Sequence, residues 1–261
     1  MILNIKNLSC GYGAKTIVSG ISLTVKSGEV LCILGPNGAG KTTLFKAILR
    51  FLKLKSGEIR IDNENISNWN RKKLAKAIGY VPQAHTTPFP FTVRDVVVMG
   101  RTAHIGTMGS PSRKDIEISE NNIEMLGISY LKDKIYTEIS GGERQMVLIA
   151  RALTQEPDIL IMDEPTSNLD FGNQIRVLRQ ISKLAKKGLT IIMTSHFPDH
   201  AFLCSTQVAL LQKGNKFSVG NADDIVTEKN LKEAYGVNVK IITASLYNGY
   251  EIKTCLPLME D

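Results

Sequence analysis

The sequence predicts an α/β fold whose core is interrupted by a helical insert. Two kinds of apolar pattern lead to this prediction. Short continuous apolar runs, such as Val30–Leu34 and Ile159–Met162, are typical of strands that are buried on both faces of a sheet. Between these two runs, from about residue 88 to residue 154, apolar residues recur at helical spacing instead. Strand patterns on both sides of a helical stretch predict an insert within an α/β core.

Strands and one helix account for the first 80 residues. The strands are predicted over residues 2–5, 17–25, 30–34, 57–61 and 78–81. The first two alternate apolar and polar side chains, and Gly11 and Gly13 mark the turn between them. A helix is predicted over residues 41–52, because Leu44 and Ile48 recur at helical spacing along one face.

Helices dominate the insert, and strands return after it. Thr92 begins one helix, and two more are predicted over residues 111–127 and 142–153. The later strands are predicted over residues 159–162, 189–194 and 208–211. A helix over residues 173–186 is expected to end at Gly188, a favoured C-cap residue.

The last segment of the chain predicts a β-hairpin. Residues 237–256 have strand character on both sides of Asn248 and Gly249, a favoured two-residue turn. Its residues leave open whether the hairpin is a small regulatory or stabilising appendage or simply the end of the fold.

Composition limits the class of protein without choosing a function. The chain has 261 residues, of which 43% are hydrophobic and 22% charged, so it can bury a substantial core. No apolar run approaches the roughly 20 residues needed to cross a bilayer. Asn4, Lys6 and Asn7 interrupt the first apolar stretch, so we expect no signal peptide and a cytosolic protein.

The net charge and the cysteine spacing do not identify a function either. A net charge of +7 and an isoelectric point near 9.2 suit either a nucleic-acid binder or a protein lying against an anionic membrane face. The densest basic cluster, within residues 71–76, is typical of a solvated helix face. The four cysteines form no CxxC pair, so neither a zinc site nor a disulfide is expected.

The strongest motif is a glycine-rich loop between a predicted strand and a predicted helix. Residues 35–42 read GPNGAGKT, the P-loop pattern of ATP and GTP sites, in the context that the pattern requires. Its glycines let backbone N–H groups turn towards phosphates, and the helix N-terminus adds a favourable dipole. Lys41 is expected to neutralise the β- and γ-phosphates, and the Thr42 hydroxyl to bind Mg²⁺. The nucleotide-binding residues predicted here are Gly35, Pro36, Asn37, Gly38, Ala39, Gly40, Lys41, Thr42 and Thr43.

Two carboxylates follow the predicted strand Ile159–Met162. A buried strand ending in Asp163 and Glu164 is how a P-loop enzyme brings one acid to Mg²⁺ and another to the attacking water. Asp163 is predicted to serve the metal, directly or through water, and Glu164 to orient or deprotonate the water. Acids after a strand are common, so this prediction depends on the P-loop beside it.

A third motif opens the helix that leads towards the carboxylate strand. Residues 140–145 read SGGERQ, in which Ser140 suits a helix N-cap and Glu143 suits the first turn. A structural cap is compatible with a functional role, because helix N-termini bind anions.

The three motifs, in this order and spacing, resemble those of the ATPase subunit of an ATP-binding cassette (ABC) transporter. The diagnostic part is the Ser-Gly-Gly segment (Ser140, Gly141 and Gly142), which other P-loop families lack. Two departures are Ile139, where the family usually has leucine, and Glu143, where glutamine is commoner. The first conserves side-chain volume and the family tolerates the second.

The resemblance implies a fold and a domain organisation. The fold is a RecA-like P-loop NTPase core with an antiparallel β subdomain and an inserted helical subdomain. The ATPase domain is then expected over residues 1–235, with the helical insert at about residues 88–154, and residues 236–261 form the hairpin tail.

Four more positions match the family one by one. Tyr12 lies at the distance before the P-loop where the family stacks an aromatic ring on adenine. Gln83 resembles the glutamine that contacts Mg²⁺ and water and starts the helical insert. Asp170 resembles a residue of the segment that crosses the dimer interface, and His196 resembles the histidine that contacts the γ-phosphate. The histidines that match nothing, and are read as structural or exposed, are His85, His104 and His200.

Roles and partners follow from the resemblance. The catalytic residues are expected to be Lys41, Gln83, Glu164 and His196, and the Mg²⁺ ligands Thr42, Gln83 and Asp163. In the family two cassettes face each other head to tail, so Ser140, Gly141, Gly142 and Asp170 are expected to complete the ATP site of a second copy. Integral membrane permease subunits, held by the helical insert at the cytoplasmic face of the cell membrane, and indirectly an extracytoplasmic substrate-binding protein are the other implied partners. No nucleic-acid partner is expected.

The cargo is indicated only by resemblance. Residues 91–101, FTVRDVVVMGR, resemble importers of iron–siderophore complexes, haem, cobalamin and, in one branch, molybdate or tungstate. The ATPase does not touch the cargo, because substrate choice belongs to the membrane subunits and an external binding protein.

Three alternatives fit the sequence less well. A soluble ABC ATPase of DNA repair or translation usually carries a long coiled coil or two cassettes, whereas residues 83–140 are short and lack sustained heptads. A generic P-loop NTPase or kinase lacks the Ser-Gly-Gly segment. An exporter usually has its membrane helices in the same chain, although a separately encoded exporter stays open.

Overall fold

The computed structural model describes residues 1–83, 89–106, 109–245 and 251–259. The strands are β1 (Leu3–Tyr12), β2 (Lys15–Val25), β3 (Val30–Leu34), β4 (Leu54–Ile61), β5 (Glu64–Asn65), β6 (Ile78–Val81), β7 (Ile159–Met162), β8 (Thr190–Ser195), β9 (Gln207–Leu211), β10 (Phe217–Gly220), β11 (Val239–Ser245) and β12 (Glu251–Pro257). The α-helices are α1 (Lys41–Ile48), α2 (Arg71–Ala77), α3 (Val93–Val98), α4 (Arg113–Met125), α5 (Gly141–Thr154), α6 (Phe171–Lys186), α7 (Asp199–Cys204), α8 (Ala222–Ile225) and α9 (Glu228–Tyr235). None of the helices in these ranges has both the length and the apolar character needed to cross a bilayer.

The central sheet carries the ends of the strands that matter for the site. Its order is β10-β9-β3-β8-β7-β6, and all neighbours are parallel except the edge pair β10 and β9. Strands β3 and β7 are buried along their whole length, as their continuous apolar runs predict. Because parallel strands end at the same edge of a sheet, the segments after β3, β6, β7 and β8 lie near one another.

Alternate residues of the central strands face two separate cores. Cys32 and Leu34 of β3 belong to the core that holds the helical insert and α6, whereas Leu31 and Ile33 belong to the core beneath the antiparallel sheet. This division is the period-two alternation of a strand that is covered on both faces. The fold is therefore layered, with the central sheet between the two apolar cores.

The antiparallel sheet has the order β2-β1-β4-β5 and covers one face of the core. Strand β1 continues to Tyr12, although its alternating pattern predicted only residues 2–5. Its register shifts between Ile5 and Leu8, where Asn7 has φ +45°. A bulge of this kind interrupts the alternation while strand pairing continues, which is why the pattern understates the strand.

Helix α1 is shorter than its apolar pattern predicts. It ends at Ile48, with Leu49 as C-cap and Arg50 in the left-handed region at φ +57°, whereas the pattern extends to residue 52. The Arg50 guanidinium donates to the backbone carbonyls of Ile66 and Trp69. These contacts with a distant segment hold the chain in a turn that helical spacing cannot reveal.

Capping residues and ion pairs around the buried Arg101 stabilise the helical insert. Thr92, Ser112 and Ser140 each cap a helix through a capping box. Arg101 is only 5% exposed, and its guanidinium donates to Asp115 at 2.8 Å and to Glu156 at 2.6 Å. The first of these carboxylates begins α4 and the second follows α5, so the cluster joins two ends of the insert.

The C-terminal part contains elements that the sequence patterns did not predict. Helices α7, α8 and α9 and strand β10 are short, and α9 buries only Leu231 fully. Strands β11 and β12 form the predicted hairpin, while its predicted turn at Asn248 and Gly249 lies outside the described residues. Helix α6 starts at Phe171, and Gly188 follows its C-cap Lys187 with φ +98°.

Candidate functional site

The P-loop leaves β3 and enters α1 through a backbone that only glycine allows. Gly35 has φ +148°, and a Cβ there would lie 2.3 Å from the Leu211 carbonyl oxygen. Gly40 has φ +102°, and a Cβ there would lie 2.5 Å from Val18 Cγ2. Gly35 is therefore required by the close approach of the Leu211 backbone and Gly40 by the close approach of the Val18 side chain, and both have a positive φ that favours glycine. Gly38 also has a positive φ of +80°.

The start of α1 is built to receive an anion. Gly40 is its N-cap and supplies no side-chain hydrogen bond, and the first turn carries no acidic residue. The first N–H groups of the helix are therefore not capped by a side chain, and the helix dipole places positive charge there. Thr42 is exposed on this turn, whereas Thr43 is buried.

Lys41 lies inside the site and is only 6% exposed. Its Nζ donates to the carbonyl oxygens of Gly35 at 2.6 Å and Pro36 at 3.3 Å. Burial lowers the pKa of the Lys41 ammonium, while Glu164 and Asp163 raise it in part. A buried cation whose donors meet only neutral carbonyls and a histidine is well suited to bind a phosphate.

The two predicted carboxylates have different surroundings. Asp163 is 4% exposed, and its Oδ1 accepts a hydrogen bond from the Thr194 hydroxyl at 2.8 Å. Glu164 has φ +51°, and its backbone N–H donates to the same hydroxyl at 2.8 Å. A left-handed glutamate is uncommon, and strained residues of this kind cluster at functional sites. Thr194 of β8 thus bonds both the Asp163 side chain and the Glu164 backbone at the end of β7.

The Glu164 carboxylate joins two other predicted residues. Its Oε2 accepts from Gln83 Nε2 at 2.5 Å, and its Oε1 contacts His196 Nε2. His196 Nδ1 lies 3.4 Å from Lys41 Nζ. Since the ammonium can only donate, Nδ1 is the acceptor and the ring proton lies on Nε2, facing Glu164. The catalytic residues expected from the sequence, Lys41, Gln83, Glu164 and His196, therefore meet in one cluster.

A buried histidine supports the loop that carries His196. His200 Nδ1 lies 2.9 Å from the Ser195 hydroxyl, which also accepts the Phe197 N–H at 3.0 Å. Burial lowers the pKa of His200 to about 4, with Asp199 opposing the shift, so its ring is neutral near pH 7. His200, read from the sequence as structural or exposed, is 5% exposed and bonded behind the site.

The expected Mg²⁺ ligands form a suitable donor set. Thr42 offers a hydroxyl, Gln83 a carboxamide and Asp163 a carboxylate, all of them oxygen donors. Within the described residues, no group of three histidine, cysteine, aspartate or glutamate side chains is arranged to hold a metal by itself. A set with one carboxylate fits Mg²⁺, which keeps waters and shares substrate phosphates.

Tyr12 stands at the end of β1 with its ring 49% exposed. Lys46 of α1 approaches it, with Nζ 3.3 Å from the hydroxyl oxygen and 5.8 Å from the ring centroid. An exposed ring beside the helix that follows the P-loop is available for stacking on a base.

The residues expected to act on a second copy form a separate group. Ser140 caps α5, accepting from Glu143 N–H at 3.3 Å, while Glu143 Oε2 accepts from Ser140 N–H at 2.8 Å. Asp170 caps α6, accepting from Asn173 N–H at 2.9 Å. A Cβ on Gly142 would lie 2.4 Å from Asn173 Cγ, so the two helix starts pack together. Among the described residues, no hydrogen bond links this group to the cluster around Glu164.

Two residues close to the site were missed by sequence reasoning. Thr194 ends the predicted strand 189–194, and pairing of Met162 with Met193 in the parallel β7–β8 register puts it beside Asp163. Sequence reasoning could have found Thr194 if it had predicted the register in which β7 and β8 pair. Tyr235 belongs to no sequence motif, but its hydroxyl oxygen accepts a hydrogen bond from the Gly35 N–H at 3.0 Å. No local pattern connects residues 200 positions apart.

The chain is similar to known proteins along most of its length. The sequence profile of a family described as ABC transporter matches residues 18–167. A protein of Helicobacter pylori named as a probable iron chelatin transport ATP-binding protein is 36% identical, over 93% of this chain and 96% of its own. A molybdate import ATP-binding protein of Haemophilus influenzae is 33% identical, over 88% of this chain and 86% of its own.

A solved structure is similar along almost the whole chain. It is described as an ABC transporter of metal-chelate type in an inward-facing conformation. The TM-score is 0.89 with 31% identity, covering 99% of this chain and 98% of that chain. The similarity therefore includes the C-terminal segment that follows the motifs.

Proposed function

The chain belongs to the ABC transporter family, whose ATP-binding domains hydrolyse ATP to power transport, and from that premise we propose that it energises an importer. The proposed cargo is a metal chelate, a corrinoid or an oxyanion, carried by partner membrane subunits. The proposal assigns ATP hydrolysis to residues 1–235 and treats residues 236–261 as an appendage.

The observation that carries the proposal is the cluster at the carboxyl ends of the central strands. Lys41, Gln83, Glu164 and His196 come from four different segments and meet through direct contacts. Phosphoryl transfer needs mainly positioning and charge neutralisation, which this cluster and the uncapped start of α1 can supply.

Each residue of the cluster has a proposed role. The P-loop N–H groups and Lys41 bind the β- and γ-phosphates. Glu164 orients or deprotonates the attacking water, and His196 contacts the γ-phosphate. Gln83 connects the γ-phosphate to the helical insert, and Tyr12 stacks on the adenine.

Mg²⁺ is the proposed metal cofactor. Thr42, Gln83 and Asp163 would hold it, with Thr194 fixing the orientation of the aspartate. When bound, the ion neutralises charge on the β- and γ-phosphate oxygens.

A dimer is proposed because each chain has one P-loop and one Ser-Gly-Gly segment. Ser140 and Glu143 hydrogen-bond each other, and Ser140 is exposed, which supports a role for Ser140 in binding the ATP held by a second copy. Gly141 and Asp170, which are also exposed, belong to the same proposed surface, whereas Gly142, the remaining residue of the predicted set, is buried against Asn173. ATP then holds the two copies together until hydrolysis releases them.

The permease subunits are proposed to dock in a groove beside the helical insert. The groove has a volume of about 720 Å³. Phe51 at its rim is 73% exposed and Met99 is 37% exposed, and exposed apolar surface of this kind is typical of a protein–protein contact site. The groove joins the end of α1 to the insert, and its apolar lining includes Leu49, Phe51, Leu74, Tyr80, Met99 and Ala152. A short amphipathic helix of a membrane subunit, at the cytoplasmic face of the membrane, fits this lining.

The cargo class is supported by the names of the relatives. The proteins from Helicobacter pylori and Haemophilus influenzae are named for iron chelatin and molybdate, and the solved structure is described as metal-chelate type. An extracytoplasmic substrate-binding protein would then select the cargo and act on this chain only through the permease.

Substitution of Lys41 tests the nucleotide site. Lys41→Ala removes the buried cation from the P-loop, so the affinity for ATP is expected to fall about a hundredfold. Titration with a fluorescent ATP analogue measures this directly. An unchanged affinity would contradict the P-loop assignment.

Co-purification tests the docking groove. A tagged chain is expected to retain its membrane subunits in mild detergent, and Phe51→Asp is expected to lose them because a charge enters the apolar groove. Ile116→Asp, which changes an apolar residue of 38% exposure on α4, is the matched control and should retain them. Equal retention by both variants would move the docking surface elsewhere.

A further inference from the structure

Tyr235, the last residue of α9, lies behind the P-loop. Its hydroxyl oxygen accepts the backbone N–H of Gly35 at 3.0 Å. Gly35 is buried and follows the last residue of β3. This contact joins the start of the P-loop to a segment outside residues 18–167, the part of the chain that the family profile matches.

The position of Gly35 affects the lysine of the P-loop. Its carbonyl oxygen accepts the 2.6 Å hydrogen bond from Lys41 Nζ. Its backbone cannot be held by a side chain of its own, because the Leu211 carbonyl oxygen occupies the space of a Cβ. The residue is therefore oriented through its two polar backbone groups, by Tyr235 on the N–H and by Lys41 on the carbonyl.

Tyr235 is itself held in place. Its side chain packs on the core that contains Cys32 of β3. Burial raises the pKa of Tyr235 to about 12, with the Gly35 N–H opposing the shift, so the hydroxyl is neutral at pH 7 to 9. Next to it, Gly236 ends α9 with φ +74°, and the chain turns into the hairpin.

The hairpin fixes α9 against the rest of the molecule. At the start of α9, Glu228 accepts the Ile241 N–H at 3.2 Å and pairs with Lys240 at 3.1 Å. On the other strand, the Cys255 N–H donates to Asp199 of α7 at 2.7 Å. The C-terminal segment thus contacts the helix that carries His200 as well as the P-loop.

We propose that Tyr235 is a positioning residue for ATP binding, which holds Gly35 and through it the P-loop in the geometry that receives the phosphates. Without the hydroxyl, the buried Gly35 N–H has no acceptor and the start of the loop relaxes. The N–H groups at the start of the loop then lose their orientation, while Lys41 keeps its contacts with the Pro36 carbonyl and His196. Glu164 and His196 follow two other strands, β7 and β8, and are unaffected. Binding is therefore affected and the chemical step is spared.

Tyr235→Phe tests the proposal in the full chain with its partners present. The KM for ATP is expected to rise about five- to tenfold while kcat stays within about twofold. Backbone amide exchange of Gly35, followed in glycine-labelled protein, is expected to accelerate at least about tenfold. A KM within twofold of the original, or an equal loss in kcat, would overturn the proposal.

Controls separate this effect from loss of stability. Tyr136→Phe deletes a hydroxyl from a tyrosine that is 1% exposed in the helical insert, and it is expected to lower Tm without changing the KM for ATP. An equal rise in KM for both variants would assign the effect to general destabilisation. If Tyr235→Phe does not fold, 3-fluorotyrosine at position 235 keeps the shape but weakens the acceptor. It is expected to raise the KM for ATP by less than the five- to tenfold rise expected for Tyr235→Phe. An unchanged KM would count against the proposal.

The inference rests on the proposed nucleotide site, and one more variant distinguishes the two. Lys41→Ala, measured in parallel, is expected to weaken ATP binding whether or not Tyr235 has a role. An effect of Lys41→Ala without an effect of Tyr235→Phe rejects the inference alone. No effect of Lys41→Ala rejects the nucleotide site.

Discussion

The starts of α1 and α5 are both glycine-rich helix N-termini, yet they are built in opposite ways. Helix α1 has no side-chain cap and no acid in its first turn, and it carries the buried cation Lys41. Helix α5 is capped by Ser140, with Glu143 closing the capping box. The start of α1 has no side-chain acceptor for its first N–H groups, and a bound anion can supply one. The start of α5 is already capped, and its cap residue Ser140 is exposed.

This difference fits the proposed division of one ATP site between two chains. The α1 side gathers charge in a buried cluster, which costs desolvation free energy that a bound nucleotide can offset. In the proposed dimer, the α5 side stays folded and water-exposed until a second copy brings its ATP. A surface that must bind and release a partner in each cycle benefits from being stable alone.

Removal of the charge of Glu164, the proposed base of the cluster on the α1 side, should have the largest effect. Glu164→Gln is expected to lower kcat about 10²- to 10⁴-fold, because the water loses its base. The affinity for ATP should persist, and an ATP-bound dimer should accumulate. Phosphate release measures the first effect and size-exclusion chromatography the second. Undiminished hydrolysis would remove Glu164 from its proposed role.

Mixed dimers test the division of the site directly. Chains with Lys41→Ala and chains with Gly141→Asp are each expected to be inactive as homodimers, the second because a carboxylate meets the γ-phosphate. If Gly141 acts on the partner's ATP, the heterodimer has one site with both parts intact. Doubly tagged heterodimers should then recover about half of the original activity. No recovery would mean that both parts act within one chain.

Loss of the Thr194 hydroxyl should have a moderate effect. Thr194→Val leaves Asp163 without its donor and the Glu164 N–H without its acceptor. We expect a stability loss of about 1–3 kcal/mol and a kcat about tenfold lower. Thr190→Val is the matched control on the same strand, because its buried hydroxyl makes only a 3.4 Å contact with the Lys26 carbonyl. Equal effects on kcat would deny Thr194 a specific role.

The smallest expected effect is on dimerisation, from removal of the charge of Glu143 at the start of α5. Hydrogen bonds from the Ser140 N–H and hydroxyl lower the pKa of Glu143, so it stays ionised beside the proposed contact with the partner's γ-phosphate. Glu143→Gln keeps an acceptor for Ser140 and removes the repulsion, and ATP-driven dimerisation should tighten about threefold at low salt. Glu124→Gln, an exposed change on α4, is the control. A weaker dimer would show that the capping bond outweighs the charge.

The parallel strands of the central sheet were predictable because they are buried on both faces, whereas the partly buried antiparallel edge strand β10 was not. Val30–Leu34, Ile78–Val81 and Ile159–Met162 have the bounds that their apolar runs predict. Helix α1 was predicted too long, because apolar spacing continues through a turn that Arg50 holds by distant contacts. Helix α9 was missed, because it has only one fully buried residue and shows no sustained period.

The sequence by itself determined the local chemistry: a P-loop between strand and helix, two acids after a buried strand, and a capped Ser-Gly-Gly helix start. Each of these is written in contiguous residues, so spacing and side-chain type are enough to find it. Only the tertiary structure decided that Thr194 holds both acids, that His196 connects Lys41 with Glu164, and that Tyr235 supports Gly35. These contacts depend on strand register and on packing between segments far apart in the chain, which local patterns do not encode.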